Sequence, residues 1–270
     1  SGPYKDKKVY DPLIQGTVGI PHAQNIKSPE LIRTIIYDKV TGLTSAQAIS
    51  AALYQKAKGE GGQYLPISMM ESALYYNWPD LMMNHTFNEG GINLGELADL
   101  FEVYETKDGG VVLIIIASDE VFSKFCNVFD LSLHLDEKYN NLVSRIMNKE
   151  ELTTEINKVT KQLSCKDLES KMDLEGISAS ICNELHEVHK DPQIIEQGSI
   201  VEINHPELGV MRMPKPPANL KGQSSFPRSL APILGHDNRE VLTSINIDTG
   251  IIQRMEDREK QNREMLASLM

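Results

Sequence analysis

Three patterns predict a two-lobed α/β or α+β protein. Apolar residues at three- and four-residue gaps over 39–58 read as an amphipathic helix. An apolar, β-branched run, Val111–Ala117, follows a Gly-Gly turn and reads as one arm of a hairpin. A second hairpin pattern spans 199–213. The 270 residues, 40% of them hydrophobic, suffice for one large core or two smaller ones.

In chain order, residues 1–37 read as turn-rich, punctuated by Pro3, Pro12, Gly16, Gly19, Pro21 and Pro29. Asp11, directly before Pro12, reads as a turn residue. Val40, Leu43, Ala46, Ile49, Leu53 and Ala57 define the helix over 39–58. Asp38 stands at its N-cap, and Lys56 and Lys58 lie near its negative end. Gly59-Glu60-Gly61-Gly62 stops it. That glycine loop follows a helix and precedes a strand, the wrong order for a phosphate cradle. Gln63–Ser68 reads as a short or edge strand, because Pro66 has no N–H to donate. A helix then runs from Met69 to about Leu81. Residues 84–100, with Gly90, Gly91 and Gly95, read as a connector. Phe101–Thr106 and 111–117 form a hairpin around Lys107-Asp108-Gly109-Gly110. Ser118 caps a helix through Phe125, and 138–160 is charged and helical. The later hairpin carries Val201 and Ile203 in one arm and Val210, Arg212 and Met213 in the other. His205 falls in its turn. Helices at 239–245 and 250–268 close the chain.

Composition narrows the function. Twenty-seven Lys+Arg against 38 Asp+Glu give a net charge of −11, which argues against a nucleic-acid groove. An anionic small ligand stays open, since a few placed cations or a helix N-terminus hold one. No apolar run approaches about eighteen residues, so no membrane span is expected. Three widely spaced cysteines, Cys126, Cys165 and Cys182, fit a reduced, cytoplasmic protein. Walker A, G-x-G-x-x-G, G-x-S-x-G and H-E-x-x-H signatures are absent. Cys182, His186 and His189 have spacings that put them on one helical face. With no fourth ligand nearby they read as a polar face, and no metal is assigned. Asp38 is the carboxylate best placed for chemistry: it follows apolar Ile35-Ile36-Tyr37, and a helix N-terminus keeps it ionised. Such a group can be a nucleophile. From the residues alone, an ordinary N-cap is the stronger reading.

An ordered series of segments resembles the class III (carnitine dehydratase, CaiB/BaiF-like) coenzyme A transferase family. Gly2-Pro3-Tyr4 with Tyr10-Asp11-Pro12-Leu13-Ile14-Gln15 and Gly19 resembles its G-P-Y … Y-D-P-L-x-Q … G stretch. Asp38-Lys39-Val40-Thr41-Gly42 is similar to its aspartate-bearing element. Asp108-Gly109-Gly110, then Asp191-Pro192-Gln193 through Pro214, and Ala231-Pro232-Ile233-Leu234-Gly235-His236 follow in the family's order. The resemblance implies an open Rossmann-like large domain around 1–82, incomplete at its N-terminus, then a linker (83–99). A small α+β domain (100–157) and a second linker (158–177) follow, and the segment 178–270 returns to the large domain. The family's opening portion would lie before Ser1.

The resemblance further implies CoA transfer between an acyl-CoA and a small carboxylic acid. Asp38 would be the catalytic nucleophile and Asp11 a supporting acid. Coenzyme A and acyl-CoA would be substrates, with no tightly bound cofactor. The implied partners are a second copy in an interlocked homodimer and, in one reading, a separate N-terminal chain. A racemase branch of the family places a histidine where this chain has Tyr10. A phenol, titrating near ~10, is a poor base at neutral pH, so transferase is favoured. α-Methylacyl-CoA racemase-like activity and an inactive truncated relative are the alternatives.

Overall fold

Proline is tolerated at a helix start because the first N–H groups have no partner within the helix. The computed structural model describes residues 2–89, 97–205, 209–218, 221, 230–232 and 234–268. In it, Pro12 and Pro21 open two short helices, α1 (Asp11–Thr17) and α2 (Ile20–Gln24). The turns expected over residues 1–37 are corrected at these two places, and Asp11 is helical. The next helix, α3 (Ile36–Gln55), starts earlier than expected, with Ile35 at the cap position and Asp38 in the first turn. A π-helical turn, Lys56–Glu60, ends it, and Gly59 (φ 96°) and Gly61 (φ 80°) adopt the left-handed backbone that glycine takes cheaply.

Residues 61–68 run extended without strand pairing. The strand expected at Gln63–Ser68 is therefore corrected: no neighbouring strand pairs with it among the described residues. Helix α4 (Met69–Leu81) matches expectation, with the Ser68 hydroxyl accepting from Glu71 N at 3.3 Å. Ile14, Ile20, Tyr37 and Ala73 form a small core among these helices, with Met69, Met70 and Leu81 against it. No strand occurs among the described residues 2–89.

A second core gathers on a three-stranded antiparallel sheet, ordered β1 (Glu102–Glu105), β2 (Gly110–Leu113), β3 (Ala179–Ile181). Tyr104 lies opposite Val111, and Val111 opposite Ile181. Strand β2 is shorter than the expected 111–117, although Ile115 and Ile116 are buried. A Cβ on Gly110 would lie 2.8 Å from Val103 Cγ1, so the close hairpin needs glycine there. Helices α5 (Asp119–Val128), α6 (Leu142–Met147), α7 (Lys149–Thr160) and α8 (Cys165–Leu174) surround this sheet. Phe122, Phe125, Leu152, Ile156, Leu168 and Met172 supply its apolar contacts. Arg145, fully buried, pairs with Asp119 and donates to the Ile116 and Tyr139 carbonyls.

By its contacts the chain divides into two compact units, Ser1–Cys182 and Asn183–Met270. The second holds α9 (Pro192–Glu196), the hairpin β4 (Ile200–His205) and β5 (Gly209–Pro214), α10 (Asn238–Ser244) and α11 (Thr249–Ser268). The hairpin and the two closing helices fall where the sequence predicts them. Residues 206–208 and the glycines of the 84–100 connector lie outside the described residues. The result is a mixed α/β structure of helices and small sheets. Among the described residues, no helix is long and apolar enough to cross a membrane.

Candidate active site

The residue that precedes α3, Ile35, has no side-chain acceptor, so the first N–H groups of this helix need one from elsewhere. Asp11 supplies it. Its carboxylate is 2% exposed, and Oδ2 accepts from Tyr37 N at 2.5 Å and Asp38 N at 3.4 Å. The other oxygen, Oδ1, accepts from Gln15 Nε2 at 2.6 Å. A charge at a helix start also gains from the macrodipole. This borrowed cap explains why α3 begins before Asp38.

Gln15 is itself buried, 1% exposed. Its Nε2 also donates to the Thr34 carbonyl at 3.1 Å, and its Oε1 accepts from Ile32 N at 3.0 Å. Tyr37 is buried beside this network, and its phenol oxygen accepts from Asn77 Nδ2 at 2.6 Å. Burial pushes the Tyr37 phenol's pKa up, and the Asn77 bond opposes that rise. One polar network thus ties α1, residues 32–34, α3 and α4 together.

Asp38 is exposed, and its carboxylate has no hydrogen bond or ion pair among the described residues. Its backbone is held and its side chain is left over. The two aspartates singled out in the sequence are joined through the Asp38 backbone N–H, which donates to the Asp11 carboxylate. Asp11 is corrected from a turn residue to a buried cap. Tyr10 is exposed and precedes α1.

A cavity of about 470 Å³ flanks α1, lined by Tyr4, Lys7, Lys8, Leu13, Thr17 and Met70 among others. Lys7 Nζ sits 3.8 Å over the Tyr4 ring. A lining that combines two lysines with apolar side chains suits an anionic ligand with an apolar portion. A larger open cleft of about 870 Å³ lies at the start of α7, where Asp99, Glu102, Glu150 and Glu151 line it. Lys149 lines it too, 3.8 and 3.3 Å from the Asp99 and Glu102 carboxylates, and acidic groups predominate in this lining.

Other sequence candidates sit elsewhere. The helical face expected for Cys182, His186 and His189 is not formed: residues 185–187 make a turn and Val188–Lys190 a 3₁₀ turn. His186 instead pairs with Glu184 at 3.2 Å. Among the described residues, no group of three or more His, Cys, Asp or Glu is arranged to hold a metal. His205 is the buried last residue of β4. Two of the family-like aspartates act as caps. Asp108 accepts from Cys165 N at 2.7 Å, and Asp191 accepts from Gln193 N and Ile194 N at 2.9 and 3.2 Å. Gln15 and Asn77 were not singled out as site residues. The Asp11–Gln15 pair has a local signal, a four-residue spacing on one helix face; the Asn77–Tyr37 pair, 40 residues apart, has none.

A buried carboxylate thus caps the helix whose first turn carries the exposed Asp38. The sequence profile of CoA-transferase family III matches residues 1–238, and the chain belongs to that family. Succinyl-CoA:glutarate CoA-transferase of Mus musculus is 23% identical over 265 residues, covering 94% of this chain and 60% of the relative. Succinate–glutarate CoA-transferase of Agrobacterium fabrum is 26% identical over 258 residues, covering 91% and 62%. The crystal structure of a CAIB/BAIF family protein from Brucella suis superposes with a TM-score of 0.72 at 23% identity, over 91% of this chain and 65% of that one. The chain thus spans less than two thirds of the length of these relatives.

Proposed function

We propose that this chain carries the nucleophile of a CoA-transferase, Asp38, and that Asp11 holds it in place. The observation that carries this reading is the free carboxylate of Asp38 on a helix turn whose N–H groups Asp11 occupies. Were Asp38 its own helix's cap, its lone pairs would be spent on backbone N–H groups. With Asp11 there instead, they are available to attack.

In the proposed reaction the Asp38 carboxylate adds to the thioester carbonyl of an acyl-CoA. The C–S bond breaks, leaving an aspartyl–acyl anhydride and CoA thiolate. The thiolate attacks the aspartyl carbonyl of the anhydride, forming an aspartyl-CoA thioester and releasing the first carboxylate. An acceptor carboxylate attacks that thioester, giving a second anhydride and thiolate. The thiolate then takes the new acyl group and restores Asp38. Covalent catalysis of this kind divides one difficult exchange into easier steps.

The first pair to test is succinyl-CoA and glutarate, named for the mouse and Agrobacterium relatives. The cavity beside α1, whose lining includes Lys7 and Lys8, supports binding of an anion by this chain. The finer domain reading, a Rossmann-like large domain and a small α+β domain at 100–157, belongs to this proposal. The sheet β1–β3 with its packed helices supports the small domain, whereas the large domain needs strands beyond residues 2–82. A homodimer is also part of the reading: α3 leaves Leu43, Ile49, Leu53 and Tyr54 in water, an apolar face that a second copy would cover.

The experiment is intact-mass spectrometry of the protein mixed with succinyl-CoA, quenched, and trapped with hydroxylamine. A hydroxamate mapped to Asp38, absent in Asp38→Asn, is the expected result. Full transfer activity in Asp38→Asn would end the proposal.

A further inference from the structure

Gln15 makes more contacts than a core amide on a seven-residue helix needs. We propose that it is a positioning residue for Asp38, acting through Asp11; this rests on the reading of Asp38 as the nucleophile. The argument starts from what holds Asp38. Its carboxylate touches no partner among the described residues, so its place is set by its backbone. That backbone is held by Asp11 Oδ2, through Tyr37 N at 2.5 Å and Asp38 N at 3.4 Å.

An aspartate carboxylate turns easily about its terminal torsion, whose wells are broad. The orientation of its plane must therefore be fixed by something else. Gln15 Nε2 binds Oδ1 at 2.6 Å, which leaves Oδ2 turned toward α3. The same amide grips both ends of the segment leading into that helix, accepting from Ile32 N at 3.0 Å and donating to the Thr34 carbonyl at 3.1 Å. A primary amide offers two donors and one acceptor oxygen, and here all are used on groups that fix the first turn of α3. Because the amide is 1% exposed, water does not replace a lost bond. A shift of the first turn moves the nucleophile relative to its thioester, and a displacement of about 1 Å can cost about 100-fold in rate.

A purely structural role for Gln15 predicts something different. Variants would lower the melting temperature, while the folded fraction would acylate at the normal rate. The test is Gln15→Glu, which keeps the acceptor for Ile32 N, loses both donors and sets a carboxylate against Asp11. The swap Asp11→Asn with Gln15→Glu restores a donor–acceptor pair of reversed direction and leaves an oxygen for Tyr37 N. Two readouts are taken on the folded proteins. One is the amide proton shifts of Tyr37 and Asp38 by NMR, which need no activity. The other is the saturating rate and half-saturating succinyl-CoA concentration of Asp38 acylation in a single turnover.

We expect Gln15→Glu to move both amide shifts and lower the saturating rate about tenfold, with the half-saturating concentration unchanged. The swap should recover most of both. An unchanged saturating rate in Gln15→Glu, with a wild-type adduct at Asp38, overturns the positioning role and leaves the nucleophile standing. No wild-type adduct at Asp38, with amide shifts that respond, overturns the nucleophile reading and the positioning role with it. If Gln15→Glu does not fold, Gln15→Asn, which keeps an amide on a shorter stem, is judged by the same outcomes.

Discussion

Helices α3 and α8 begin in comparable ways, and the difference between them bears on where reactivity can sit. Each receives a carboxylate from a distant part of the chain. Asp11 reaches Tyr37 N across 26 residues, and Asp108 reaches Cys165 N across 57. Each also has an acid in its own first turn, Asp38 in α3 and Asp167 in α8. At α8 the cap residue is Ser164, whose hydroxyl accepts from Asp167 N at 3.1 Å and donates to the Asp167 carboxylate at 2.7 Å. At α3 the cap residue is Ile35, which offers no such bond. The first-turn acid of α8 is thus tied to its own cap, and that of α3 is unengaged. A helix start with local and borrowed caps together is a structural join. At α3, held only by a borrowed cap, the first-turn acid has no partner among the described residues.

The largest effect should separate the two acids themselves. Asp38→Asn should lower CoA transfer by at least about 10³-fold, as losing a nucleophile does, and remove the trapped adduct. Asp167→Asn should leave transfer intact, and a matched loss in both variants would break the comparison. Next come the borrowed caps. Asp11→Ala orphans the buried Tyr37 N–H and one Gln15 donor, each costing roughly 1–3 kcal/mol. Urea unfolding should show that loss, and a midpoint equal to wild type would mean that α3 caps itself. Ser164→Ala should cost about 1 kcal/mol, a smaller loss because Asp108 still serves α8.

The same contrast explains what was legible in the sequence. Helices α4 and α5 were readable at their starts because Ser68 and Ser118 are local caps, each accepting from the third residue on. The start of α3 was placed too late because its cap comes from Asp11, and no local pattern carries a contact that long. Both proposed site carboxylates were singled out from the sequence, Asp38 by its apolar lead-in and the family resemblance, Asp11 by resemblance alone. Their relation was not: whether Asp11 is a turn residue or a buried cap depends on α1 packing against α3. Residues 63–68 show the converse. They read as a short or edge strand, but a strand exists only with a partner, and pairing is a property of the whole fold. Hairpins β1–β2 and β4–β5 were readable because partner and turn are adjacent in sequence.

A smaller effect should appear in acid and bear on α8 alone. The Asp108 carboxyl is held below the ordinary aspartate value of 3.8, first by the N–H bond from Cys165, with Cys165 and Thr106 side chains adding to it. A carboxyl whose folded pKa is depressed binds protons more readily when unfolded. Its stabilising contribution is therefore complete above the unfolded value and disappears as pH falls through the folded one. Stability should decline as pH drops below about 4, and Asp108→Asn should flatten that part of the profile. Urea midpoints on the two proteins across this range check it. Equal slopes would mean that Ser164 alone holds the α8 start and that the borrowed carboxylate there is idle. The likeness between the two helix starts would then reduce to the one contact that matters at α3, Asp11 on Tyr37 N.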